Sequence, residues 1–188
     1  MQYDPKKHHR RSIRLHGYDY TRPGAYFITI CVQAHECILG HIANGEMHLN
    51  DLGEIVRDEW LRAGTVRNEI VLDEFVIMPN HVHGIVFIRE SGFDPVGATR
   101  RVAPTWVIPT SANGPMSGSI GAIMGQFKSI ATKRINAIRG LPGVSVWQRD
   151  FNDHIIRNDG ELNRIRHYIT KNPARWKWDS KNPKRISP

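Results

Sequence analysis

Residues 69–88, EIVLDEFVIMPNHVHGIVFI, decide how the chain folds. Glu69–Ile77 and Val82–Ile88 are both dense in β-branched and aromatic residues, and Met78-Pro79-Asn80 separates them where proline would interrupt a ladder. Two consecutive strands are expected. Upstream, Ala25–Val32 (AYFITICV) reads as another buried strand. Ile38–Ile42 and Glu46–Leu49 flank Asn44-Gly45, the pair that favours the positive φ of a tight hairpin turn. Asp51-Leu52-Gly53-Glu54 has the pattern of a capping box and opens a helix with Leu52, Ile55, Val56 and Trp60 on one face. Downstream, Ile120–Ile138 repeats helical spacing through Ile120, Ile123, Met124, Phe127, Ile130, Ala131 and Ile135. Leu141-Pro142-Gly143 breaks that pattern, Val144–Gln148 is expected to add a last short strand, and Asp159 to about Asn172 forms a closing helix. The order predicts an α+β fold: one antiparallel sheet with helices packed on one face.

A chain of 188 residues suffices for one domain with a sizeable core. An apolar fraction of 40% with 23% charged residues excludes wholesale disorder. No run reaches the ~18 apolar residues of a membrane span. The opening MQYDPKKHHRRSIRLHG lacks the apolar stretch of a secretory signal. Cys31 and Cys37 are expected to be ordinary strand residues in a reducing compartment, so a cytoplasmic protein is expected. The charge is +8, and it is unevenly placed. Residues 1–22 set six Lys and Arg against Asp4 and Asp19, residues 164–188 set eight against Asp179, and the body between is mildly acidic. Basic ends of this kind favour a polyanion partner, nucleic acid, over a merely solubilising role. The expected organisation is a basic arm over 1–22, one domain over 23–176 with a Pro/Gly/Ser-rich loop at about 91–119, and a basic tail over 177–188.

Within the second strand of the pair, His81 and His83 are separated by one bulky residue. Side chains alternate along a strand, so both imidazoles project to one face while Val82 points into the core. That makes a two-point clamp for a metal or a phosphate, although two surface histidines would show the same spacing. The zincin pattern, paired Cys/His zinc spacings, a Walker loop and G-x-G-x-x-G are all missing. On the closing helix, Leu162, Ile165 and Ile169 form the apolar stripe. Tyr168 lies beside it and Asn172 one turn further on the same side. A boundary tyrosine is commonly a packing residue, and Asn before Pro commonly a helix stop. Together the two features acquire a chemistry. A tyrosine is a weak nucleophile at neutral pH, and a divalent cation polarising the phosphate under attack makes it an effective one. His81, His83 and the amide oxygen of Asn172 would form a three-point site with positions left for phosphate oxygens.

In these blocks the chain resembles the single-tyrosine transposases of the HUH endonuclease superfamily, in its branch of REP-associated tyrosine transposases. The matching stretches are Tyr26–Cys31, Met78–Ile85, Phe127-Lys128-Ser129, Val146-Trp147-Gln148, Phe151–His154 and Tyr168–Pro173, in order across most of residues 25–176. The resemblance implies a ferredoxin-like, RRM-like sheet. It implies Mg²⁺ or Mn²⁺ on His81 and His83, with Asn172 as third ligand. It implies Tyr168 as the nucleophile that cleaves single-stranded DNA beside a hairpin or imperfect palindrome, leaving a 5′-phosphotyrosine and a free 3′-hydroxyl. DNA grips are expected from Arg10, Arg11 and Arg14 in the arm, from Lys128, and from Arg164, Lys171 and Arg175 around the closing helix. Lys177, Lys184 and Arg185 would add to them in the tail. Such a protein would associate with the nucleoid. The hinge at Leu141–Gly143 leaves open whether Tyr168 serves its own subunit or that of a homodimer partner. A domesticated hairpin DNA- or RNA-binding regulator without turnover is the alternative, with Tyr26, Phe27 and Phe87 as stacking platforms. Retention of His81, His83, Tyr168 and Asn172 together favours the enzyme.

Overall fold

A computed structural model describes residues 18–89 and 115–186. Residues 69–88 form the two expected strands, β4 (Ile70–Met78) and β5 (His81–Ile88), antiparallel through Pro79-Asn80 with Met78 opposite His81. β1 (Gly24–Cys31) pairs along the other edge of β5, and β6 (Asn152–Ile156) along the far edge of β1. The sheet order is therefore β4-β5-β1-β6, antiparallel throughout.

Helix α1 (Asp51–Val66) connects β1 to β4, and α2 (Ile120–Arg139) precedes β6, which gives the βαββαβ course of a ferredoxin-like fold. The hairpin β2 (Gly40–Ala43) and β3 (Glu46–Leu49) is inserted before α1 as a separate two-stranded sheet. Its turn has Asn44 and Gly45 both at positive φ, 52° and 80°, as the dipeptide requires. The cap of α1 differs from expectation by one residue. Asn50, not Asp51, is the N-cap, and its side chain accepts from the N–H groups of Leu52 and Gly53.

The two faces of the sheet carry different partners. Tyr26, Ile28, Ile30, Val82 and Val86 face α1 and α2 and form the main core with Trp60, Ile123 and Phe127. Gly84 is required there, because a Cβ on it would stand 2.2 Å from Cζ2 of Trp60. Glu59 of α1, nearly buried, takes a 2.6 Å bond from Arg134 of α2 and fixes the two helices together. The opposite face carries Ala25, Phe27, Ile85 and both histidines, and α3 (Asp159–Lys171) docks on it through Leu162, Ile165 and Ile169. Helices thus cover both faces. The stripe expected to dock the closing helix does so.

Two expectations need correction, and a third lies largely outside the described residues. Val144–Gln148 is not a strand: Trp147 makes a single bridge to Val32, and the last strand is β6, whose short alternating run carries little periodic signal. The segment after 176 is not a free tail. A 3₁₀ turn over Pro173–Trp178 leads into a return in which the Ile186 N–H bonds the Lys177 carbonyl at 2.8 Å and the Lys181 carbonyl accepts from Asn80 at 2.7 Å. Of the loop expected at about 91–119, only its end is described, a turn running into the Ser119 cap of α2; residues 90–114 lie outside the described residues. Arg10, Arg11 and Arg14 lie outside them too. Cys31 is buried, Cys37 exposed, and no disulfide joins them. No described helix is long and apolar enough to cross a membrane.

Candidate active site

The alternation of β5 sends His81 and His83 to the face under α3, where both are buried with ring centroids 4.6 Å apart. Each ring is held at Nδ1 from behind. The β1–β5 register sets Thr29 opposite His83, and its Oγ1 lies 2.8 Å from His83 Nδ1. His81 Nδ1 lies 2.8 Å from Asn80 Oδ1.

Which way Asn80 faces is determined by its other partners. Its amide nitrogen lies 2.9 Å from the His35 carbonyl and 2.7 Å from that of Lys181, and two carbonyls can be satisfied only by the NH₂ group. Oδ1 therefore faces His81, where it can only accept, so His81 carries its proton on Nδ1 and presents the Nε2 lone pair. The His35 carbonyl is aimed by a tight turn in which Ala34 and His35 both adopt positive φ, 53° and 56°, unusual for residues with a Cβ. Backbone strain of about 1–3 kcal/mol per residue is thus spent next to the site.

Burial lowers the pKa of both rings. His83 is pushed down to about 3 by burial, with a smaller effect from the Lys181 charge. His81 lies lower still, from burial first and then from His83, Lys181 and His35. Both are neutral near pH 7, the form in which imidazole is a ligand.

Tyr168 reaches this pair from α3. Its hydroxyl lies 3.3 Å from His83 Nε2, joining positions 85 residues apart within one chain. Phe27 stacks on His83 with centroids 5.3 Å apart and meets the Tyr168 ring edge-on at 6.1 Å, so the phenol is held in place by packing. The residue as a whole remains 38% exposed. Burial raises the phenol's pKa, the Asp179 carboxylate raises it further, and a hydrogen bond from Asn172 lowers it. In this state Tyr168 is protonated at neutral pH. Arg166, on the same helix, donates from Nε to both oxygens of Asp73 on β4 at 3.1 Å and fixes the seat of α3.

Asn172 sits buried at the end of α3, and its Oδ1 has no partner among the described residues. His81 Nε2 is likewise buried without one. From the segment beyond, Asp179 brings Oδ2 to 4.0 Å from His81 Nε2, and the donor atoms of His81, His83 and Asp179 all lie within 4.8 Å of one another. Trp176 lies over His81 with centroids 6.0 Å apart. The unpartnered His81 Nε2 lone pair and the Asp179 carboxylate, with His83 inside the same 4.8 Å, are a fitting donor set for a divalent cation.

The structure brings together His81, His83, Tyr168 and Asn172 from the sequence-derived set. Arg164, Lys171, Arg175, Lys177, Lys184 and Arg185 are exposed on or after α3. Lys177 folds its ammonium over the Trp178 ring at 4.1 Å. Lys128 is turned inward and donates to the carbonyls of Gln148 and Arg149 at 2.7 and 2.8 Å, an anchor for that loop. Sequence reasoning missed Asp179, the roles of Asn80 and Thr29, and the packing of Phe27 and Trp176. Asp179 had one signal: it is the single acid in a run of eight basic residues.

No family model matches the chain. An uncharacterized protein of Haemophilus influenzae is 40% identical over 178 residues, covering 95% of this chain and 96% of that one. Among solved structures, a REP-associated tyrosine transposase bound to a REP hairpin superposes with a TM-score of 0.55 at 17% identity, over 89% of this chain and 76% of that one. The two share a fold.

Proposed function

We propose that this chain, which belongs to one family with the Haemophilus influenzae protein and has the fold of a tyrosine transposase, is a DNA transposase of the HUH type that cleaves and rejoins single strands next to a hairpin. One observation carries the reading: the Tyr168 hydroxyl is delivered by a docked helix to within 3.3 Å of a buried, neutral His83 whose neighbour His81 has an unpartnered Nε2. A tyrosine held only for packing has no need of such a pair.

In this reading the Tyr168 oxygen bonds to phosphorus as the bond from phosphorus to the 3′-oxygen breaks. The phenolic proton is lost to solvent and the departing 3′-oxygen regains one. The products are a 5′-phosphotyrosine and a free 3′-hydroxyl. Because one phosphodiester replaces another, the reverse attack by a different 3′-hydroxyl rejoins strands without an energy source. Mg²⁺ or Mn²⁺, held by His81 and His83 with Asn172 on the facing helix end, supplies charge neutralisation at the phosphate when bound. Phe27 and Asp73, through Tyr168 and Arg166, keep the nucleophile aimed. The exposed Arg164, Lys171, Arg175, Lys177, Lys184 and Arg185, on or after α3, supply phosphate contacts in this reading. The hairpin carried by the solved transposase is the class of substrate we assign to this chain.

The test is covalent capture. End-labelled single-stranded hairpin DNA incubated with the protein and Mn²⁺, then denatured, should leave label on the wild-type chain and none on Tyr168→Phe, which keeps the ring packing. Hairpin binding by both proteins with no adduct from either would replace the enzyme by a binding module.

A further inference from the structure

The segment after α3 carries more than basic charge. Asp179 is 6% exposed at its side chain, in a stretch where every other charged residue is a lysine or arginine. Its two oxygens are not equivalent. Oδ1 accepts the Lys181 N–H at 2.7 Å, which fixes the carboxylate plane; Oδ2 is the oxygen directed to His81 Nε2, 4.0 Å away.

That contact is not an ion pair. Asn80 places the His81 proton on Nδ1, so a lone pair faces the carboxylate across the gap. The His81 Nε2 lone pair and a carboxylate oxygen face each other beside His83, all three donors inside 4.8 Å in a mostly buried setting, which is unfavourable unless a cation lies between them. Two histidines with one carboxylate are a recognised donor set for octahedral divalent ions that keep open positions. The carboxylate also brings a negative charge and a hard oxygen, the ligand Mg²⁺ and Mn²⁺ prefer, where an amide would bring only a dipole.

We infer that Asp179 is a metal ligand: its carboxylate joins His81 and His83 in holding the divalent cation, so that metal binding fastens the segment over residues 177–186 onto the histidine face. The inference rests on the reading of this site as a divalent-cation centre. Two attachments of that segment then converge on one ring. Asn80 holds the Lys181 carbonyl and the His81 Nδ1 proton, and the cation joins His81 Nε2 to Asp179.

Calorimetric titration of Mn²⁺ into the metal-free full-length chain and into Asp179→Asn tests it. Asparagine keeps an oxygen for the Lys181 N–H, so the turn survives and only the charged ligand is lost. The expected result is saturable binding to wild type, weakened roughly tenfold or more in Asp179→Asn. Equal affinity in the two proteins would overturn the assignment of Asp179 and leave the histidine centre standing; no saturable binding to wild type would overturn both. Hydrogen exchange of the wild-type chain alone gives a second readout. Amides of residues 177–186 should exchange several-fold more slowly with Mn²⁺ than with EDTA, and exchange indifferent to Mn²⁺ would overturn the fastening.

Discussion

Replacing Asn80 separates the two tasks its side chain performs. Asn80→Ala removes the acceptor for His81 Nδ1–H and the donors to the His35 and Lys181 carbonyls, all at a fully buried position. A buried polar group left without a partner costs about 1–3 kcal/mol. Three are stranded here, and the cavity admits some relaxation, so the loss should be about 3–5 kcal/mol in a urea melt. Freed from Oδ1, His81 can move its proton to Nε2, and loss of such an outer-shell partner lowers metal affinity by roughly 10–100-fold. Asn80→Asp should behave differently. It keeps the acceptor, so the Nδ1–H tautomer persists, but it turns an anionic oxygen toward two carbonyls and destabilises at least as much as alanine. Long-range ¹H–¹⁵N correlation of the imidazole rings reads the tautomer directly, alongside the melts. If His81 in Asn80→Ala still carries its proton wholly on Nδ1, the claim that Asn80 selects the tautomer is wrong, whatever happens to stability.

Further outcomes follow from the same geometry. Gly84→Ala forces a Cβ to 2.2 Å from Trp60 Cζ2, and overpacking of this kind should cost about 1–3 kcal/mol, read as a lower midpoint in urea. Unchanged stability would mean that Trp60 moves freely. In EDTA, acid should destabilise the chain early. The folded His83 pKa is depressed to about 3 and that of His81 is depressed further, so below about pH 6.5 the unfolded chain binds protons the folded one refuses. Stability is complete above that pH and falls as pH drops toward the folded values, by about 1.4 kcal/mol per pH unit for each ring. Urea midpoints at pH 7 and pH 5 check this, and equal midpoints would refute it. Truncation after residue 176 removes Asp179 and leaves His81, His83 and Asn172, so Mn²⁺ affinity should fall roughly tenfold or more and hairpin affinity should weaken as well. Retention of the wild-type Mn²⁺ affinity would show that the segment serves only as a DNA grip.

How much of this was legible in the chain depended on the range over which each interaction is encoded. The strands around Pro79, the Asn44-Gly45 turn, α1, α2 and the docking stripe of α3 are local patterns, and their residues carry periodicity regardless of partners. The histidine pair was legible for the same reason, since alternation alone puts His81 and His83 on one face. Val144–Gln148 misled because its apolar content comes from Trp147 packing on Phe127, with centroids 5.9 Å apart, and not from a ladder. Asp179 is the instructive miss. Its significance comes from being near His81, 98 positions earlier, and a basic run reads as a solvated tail until the fold shows that its one acid is turned inward. The same holds for Asn80. Its identity was visible in the motif, but its task depends on carbonyls 45 residues before it and 101 residues after it. The imidazole pair could be found by reading along the strand. The carbonyls that orient Asn80, and the Thr29 hydroxyl against His83, come from distant segments, and that is why the sequence yielded the histidine pair and the tyrosine beside it but not what holds the pair in place.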